Sequence, residues 1–177
     1  LPRERETGSG AVTPPTVRAV SDGAGEDDLT PTLPETCRRR GDFQHALVQT
    51  EEAIARSAAG DVHDWTRLVA SALEQVREAI DEHVEMIRRP GGVYDEIRER
   101  APRLASRIRR LQREHPIMRA RALELIAFLD KPGIGERWPL DEARDDIRHL
   151  LSMIERHCQS MTDLVWEAYH RDIGGVE

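Results

Sequence analysis

Three histidines, His83, His115 and His157, stand where a hydrophobic side chain is otherwise found, each on its own stretch of helical periodicity. The first lies in the series Trp65, Val69, Leu73, Val76, Ile80, His83, Ile87. The second interrupts Leu104, Ile108, Leu111, His115, Met118, Ala122, Leu125, Leu129, and the third interrupts Leu140, Ala143, Ile147, Leu150, Ile154, His157, Met161, Leu164, Ala168. Steps of three and four residues put each series on one helix face, and an apolar face of that kind turns toward the interior. The other four histidines, His45, His63, His149 and His170, fall off these faces. Imidazoles projecting inward from facing helices are how a metal centre is built into a helical core. The plainer alternative is three separate buried histidines, each hydrogen-bonded to a neighbour such as the Thr50 hydroxyl.

Carboxylates and depth discriminate between these readings. Iron or manganese takes carboxylate oxygen beside imidazole, whereas the residues one turn beyond the three histidines are Ile87, Arg119 and Met161, which offer none. Glu155 and Asp163 are the candidate carboxylate donors beside His157. Glu85, Glu114, Glu51 and Glu52 are further neighbours that flank the apolar faces. With Leu129 and Leu140 taken as facing helix ends, His115 and His157 differ in depth by three residues, about 4.5 Å, and can share a layer. With Ile87 set opposite Leu104, His83 falls about 10 Å from that layer. A single-ion site on His115 and His157, holding iron or zinc, therefore ranks ahead of one that also uses His83. A metal-free core is the competing expectation, with Met118 and Met161 read as ordinary core residues.

The elements that must carry these residues are all helical. Residues 1–41 hold five of the ten prolines and five of the twelve glycines with almost no apolar periodicity, so they are predicted to be a disordered tail. Its closing run, Arg38 to Arg40, reads as a solvated charge run, with docking to a protein partner as the alternative role. From Asp42, a plausible N-cap, Phe43, Leu47, Thr50 and Ile54 define a first helix that Gly60 stops. Asp61 opens the second, and Pro90, Gly91 and Gly92 end it. Val93 to Arg100 forms a short helical piece. A third long helix begins around Pro102 and carries Pro116, whose ring is expected to kink it. The loop from Asp130 to Pro139 leads into the last helix, Leu140 to Arg171. Four amphipathic stripes joined by short breaks predict an all-α, antiparallel up-down-up-down four-helix bundle over residues 42–177.

Composition narrows the partners. A formal charge of −7 gives no basic face for a nucleic-acid backbone, so no nucleic-acid partner is expected. No apolar run is long enough for a membrane span and no secretory signal is visible, which makes a cytoplasmic location the expectation. Aromatic residues make up only 4% of the chain, which points away from a β fold. Cys37 and Cys158 sit in such different contexts that two free thiols are expected. No Ser/His/Asp or Cys/His grouping, glycine-rich phosphate loop or paired-carboxylate spacing is present, so catalysis is not expected.

The stretches RLQREHPIMRARALELI (110–126), YDEIRERAPRLASRI (94–108) and RHCQSMTDLVWEAYHRDIGG (156–175), together with the four apolar series, make residues 42–177 resemble the hemerythrin-like (HHE cation-binding) family of bacterial four-helix bundles. That resemblance implies non-haem iron, usually a dinuclear site that binds oxygen or nitric oxide or senses redox state. The ligand pattern it implies is His…HxxxE…HxxxH…HxxxxD. His83, His115 and His157 match the leading histidines of the second, third and fourth helices. Ile87 stands where glutamate belongs, Arg119 where histidine belongs, and Thr162 where aspartate belongs, with Asp163 one position late; His45 lies off the first helix's apolar face. The expectation is a hemerythrin-like domain with a reduced ligand set. The alternative is a metal-free helical bundle acting as a protein-interaction module.

Overall fold

The computed structural model describes residues 32–58, 61–131 and 138–170, and among these the chain is all-helical. Five α-helices follow in order: α1, Thr32–Ala55; α2, Val62–Arg88; α3, Val93–Arg100; α4, Ala105–Leu129; and α5, Leu140–His170, with a 3-10 turn at Pro102–Leu104 before α4. No helix of the described residues is long and apolar enough to cross a membrane.

The helix starts differ from expectation at α1. It begins at Thr32, so Asp42 lies inside it and is not its N-cap. Pro34 is accommodated because it falls in the first turn, where its missing N–H has no intrahelical partner to lose. The rest of that predicted tail, residues 1–31, lies outside the described residues, as do Gly60, most of the loop before α5 and the segment after His170. The helix also ends at Ala55, short of Gly60. Asp61 caps α2 as predicted, its carboxylate accepting from the backbone N–H of His63 at 2.8 Å and of Asp64 at 3.1 Å. At the other end of α2, Gly91 takes a positive φ of 72° and the chain turns into α3. Pro116 is exposed and α4 continues through it.

Side-chain contacts fix how the four long helices pair. Thr50 on α1 reaches the Ala72 carbonyl of α2 and Phe43 meets His83, so α1 and α2 run antiparallel. Asp81 of α2 pairs with Arg119 of α4 at 2.7 Å. Arg121 of α4 pairs with Asp146 of α5 at 2.7 Å, and Arg107 with Glu167 farther along, so these helices are antiparallel too. Arg144 of α5 donates to the Ile54 carbonyl at 2.9 Å and lies over the Trp65 ring, tying the start of α5 to the end of α1. Each carbonyl it takes up is one that the end of α1 would otherwise leave unpaired.

The apolar interior falls into two clusters. One holds Ile54, Leu73, Val76, Ile80, Met118, Leu125, Ile147 and Ile154 among its members. The other holds Met86, Ile87, Leu104, Ile108, Leu111, Met161 and Leu164, and α3 closes it with Val93, Tyr94 and Ile97. Each fully buried Leu or Ile side chain contributes roughly 1.5–3 kcal/mol, so the fold does not depend on a bound ion. Between the clusters lies a single polar layer, and it is made of histidine.

Candidate metal centre

The layer is set by register. On α2, His83 follows Ile80 of the first cluster and precedes Met86 of the second. On α4, His115 stands between Leu111 and Met118, and on α5, His157 stands between Ile154 and Met161. Because neighbouring helices are antiparallel, these three positions come to one height. The Nε2 atoms of His115 and His157 are 3.1 Å apart, and those of His157 and His83 are 3.4 Å apart. One nitrogen from each of the three rings lies within 4.8 Å of the other two, and all three residues are buried. Ring centroids are 4.7 to 5.5 Å apart with the planes steeply inclined, so the nitrogens meet edge to edge and the rings do not stack.

This corrects the expected depth of His83. The 10 Å offset came from setting Ile87 opposite Leu104, whereas the observed pairs place Asp81 beside Arg119 and His83 beside His115. The chain between α2 and α4 is the reason. The short helix α3 and the 3-10 turn fill the end of the second cluster, so α4 begins well beyond the end of α2. Ile87 then faces the neighbourhood of Leu111.

The fourth side of the layer belongs to α1, which supplies the Phe43 ring in edge contact with His83, centroids 5.3 Å apart. His45 is exposed. Thr50 is no partner for an imidazole: its hydroxyl donates to the Ala46 carbonyl at 2.8 Å.

Of the candidate carboxylates, Glu155 and Asp163 are both exposed and lie outside the cluster. Asp163 accepts from the Gln159 side-chain amide at 2.8 Å, and Glu155 lines a shallow surface cavity with Phe43 and Cys158. Helix geometry explains both: at about 100° per residue, two residues before or six after His157 point well away from its face. Glu114 is the carboxylate that arrives. Its Oε2 lies 2.8 Å from His157 Nδ1, so Glu114 crosses from α4 to the remote nitrogen of the α5 imidazole. In the sequence it was legible only as a carboxylate flanking an inward histidine.

All three imidazoles are neutral at pH 7. Burial holds His83 down at about 4, with His157 contributing. Burial again, followed by His157, His83 and Arg88, holds His115 at about 3. His157 is lowered by burial against the opposing pull of Glu114. A neutral imidazole is the form that ligates a metal.

The tautomers follow from the contacts. With Nδ1–H of His157 donating to the Glu114 carboxylate, its Nε2 carries a bare lone pair pointed at the other two rings. One lone pair can serve one donor well, yet two Nε2 atoms approach it. A cation in their midst would take a lone pair from each ring. For ligand nitrogens at about 2.0–2.1 Å in tetrahedral array, neighbouring nitrogens stand about 3.3 Å apart. The observed 3.1 and 3.4 Å bracket that value. Glu114 then occupies the place of the outer carboxylate that orients a metal-bound histidine and raises its basicity.

A dinuclear iron centre does not fit these residues. Among the described residues the cluster contains no carboxylate to bridge or terminate a second ion, and Glu114 is engaged on the wrong nitrogen. A single ion with three nitrogen donors fits. Comparison of the chain with protein-family models, with curated proteins and with solved structures returns no match, so the histidine layer itself carries the functional argument.

Proposed function

We propose that this chain is a hemerythrin-like four-helix bundle that holds one d-block metal ion on His83, His115 and His157, for sensing redox state or a small diatomic ligand. The observation that carries the reading is the convergence of three buried imidazoles, with His157 Nε2 3.1 Å from that of His115 and 3.4 Å from that of His83, backed by Glu114 on His157. Three protein donors leave at least one position open on the ion, which is the arrangement of a reactive site. The histidines are only 1–7% exposed, so what reaches them must be small, a diatomic molecule or an electron. That burial supports sensing or storage over turnover of a larger substrate.

Anaerobic loading with iron(II) or zinc(II), followed by desalting and elemental analysis, tests the reading. The expected result is one ion per chain, reduced to a trace in His115→Ala and His157→Ala. Protein that emerges metal-free from loading with either ion contradicts it.

A metal-free interaction module is the second reading, and one observation favours it. On α4, Ile117 and Phe128 are 57% and 38% exposed and, eleven residues apart, stand on one side of the helix where a partner can contact them.

A further inference from the structure

The histidine layer has soft neighbours. Three or four residues after each histidine comes a methionine: Met86 after His83, Met118 after His115 and Met161 after His157. All three are buried, at 8%, 0% and 4% exposure. In an α-helix the Cα–Cβ bond tilts toward the N-terminus, and a long side chain leans back over the residue three or four positions earlier. A methionine at that spacing is therefore placed to lean toward its own histidine. Because α4 runs opposite to α2 and α5, Met118 approaches the layer from the first apolar cluster, and Met86 and Met161 approach from the second. Buried methionines therefore lie in the apolar clusters on both sides of the layer.

Charge points the same way. The donors are neutral, the surroundings are apolar, and the energetic penalty of placing an ion in such a medium grows with the square of its charge. Glu114, the carboxylate hydrogen-bonded to the layer, supplies a single negative charge, which balances one positive charge and leaves a divalent or trivalent ion uncompensated. Soft thioether donors select copper(I), and imidazole accepts it equally well.

We propose that the ion this centre selects is copper(I), bound by Nε2 of His83, His115 and His157 with a thioether sulfur of Met86, Met118 or Met161 as an additional donor. The inference rests on the three-histidine reading above and names its ion; since the sulfur takes the position that the histidines leave open, it keeps redox sensing over binding of a diatomic ligand. It differs from the iron that the hemerythrin-like resemblance implies, because hard oxygen donors are missing and soft sulfur stands in their place.

The test is a pair of competition titrations on the purified full chain, copper(I) against a chromogenic copper(I) chelator under anaerobic conditions and zinc(II) against a zinc indicator. Copper K-edge X-ray absorption of the copper(I)-loaded wild type accompanies them. The expected results are one copper(I) per chain, a sulfur scatterer beside the nitrogens, and preference for copper(I) over zinc(II). Replacing all three methionines by leucine, which keeps volume and apolarity, should weaken copper(I) roughly tenfold or more and leave zinc(II) affinity unchanged. The absorption measurement needs no variant, so it decides the matter even if the triple variant folds poorly. A nitrogen-only shell, or zinc(II) displacing copper(I), overturns the choice of ion while leaving the histidine site standing. Failure to bind either ion overturns both.

Discussion

Glu114 does more at the residue scale than its exposure suggests. Its side chain is one-third exposed, yet it sets the tautomer of His157, whose own side chain is only 1% exposed. By accepting the Nδ1–H it leaves the Nε2 lone pair facing His83 and His115. Glu114→Gln keeps an oxygen able to accept that proton but removes the charge. The expected outcome is a metal affinity lower by about tenfold to a hundredfold with the fold intact, read by indicator competition and by circular dichroism. An unchanged affinity would mean that the carboxylate does not support the centre. The sequence placed Glu114 on the list of flanking carboxylates without singling it out, because periodicity tells which face a residue occupies and not which neighbouring helix lies on that side.

At the scale of elements, the turn between α2 and α3 sets the register on which the histidine layer depends. Gly92 is packed so tightly there that an added Cβ would stand 2.8 Å from the Arg89 carbonyl oxygen and 3.3 Å from those of Ile87 and Met86. Backbone atoms cannot yield as a flexible side chain can. Gly92→Ala is expected to destabilise the protein by about 1–3 kcal/mol, measured as a lowered urea midpoint at constant slope. No change in midpoint would show that the turn relaxes freely. The long helices themselves were legible from spacing alone, since steps of three and four residues follow directly from about 3.6 residues per turn. Their relative heights were not. Those depend on how much chain the connection consumes, and Val93, Tyr94 and Ile97 of α3 turn the connection into part of the core. The same limit moved the start of α1, because Pro34 in a first turn and Gly41 in a helix interior look like breaks when read locally.

For the whole molecule, the histidine layer is a titratable seam through a mainly apolar interior, and it makes stability depend on pH. An unfolded histidine takes up its proton near 6.5, whereas burial holds His83 at about 4 and His115 at about 3 in the folded chain. Between those values the unfolded state binds protons that the folded state refuses, so stability falls as the pH drops. Above about 6.5 these histidines give no pH dependence, and the loss develops from there down toward 4, roughly 3 kcal/mol for His83 alone. Urea unfolding of metal-free protein at pH 7.5 and pH 5 should show this as a lower midpoint at the acidic value. Equal midpoints would mean that the layer is open enough to protonate without unfolding. The claim on which the account turns is that three Nε2 atoms share one ion, and long-range 1H–15N correlation of the histidine rings with and without one equivalent of zinc(II) tests it most directly. The account predicts that His83, His115 and His157 shift together, each with a ligated Nε2 and a protonated Nδ1, while His45, His63, His149 and His170 stay put. Unmoved signals from the three core histidines, or shifts confined to the exposed ones, would contradict it.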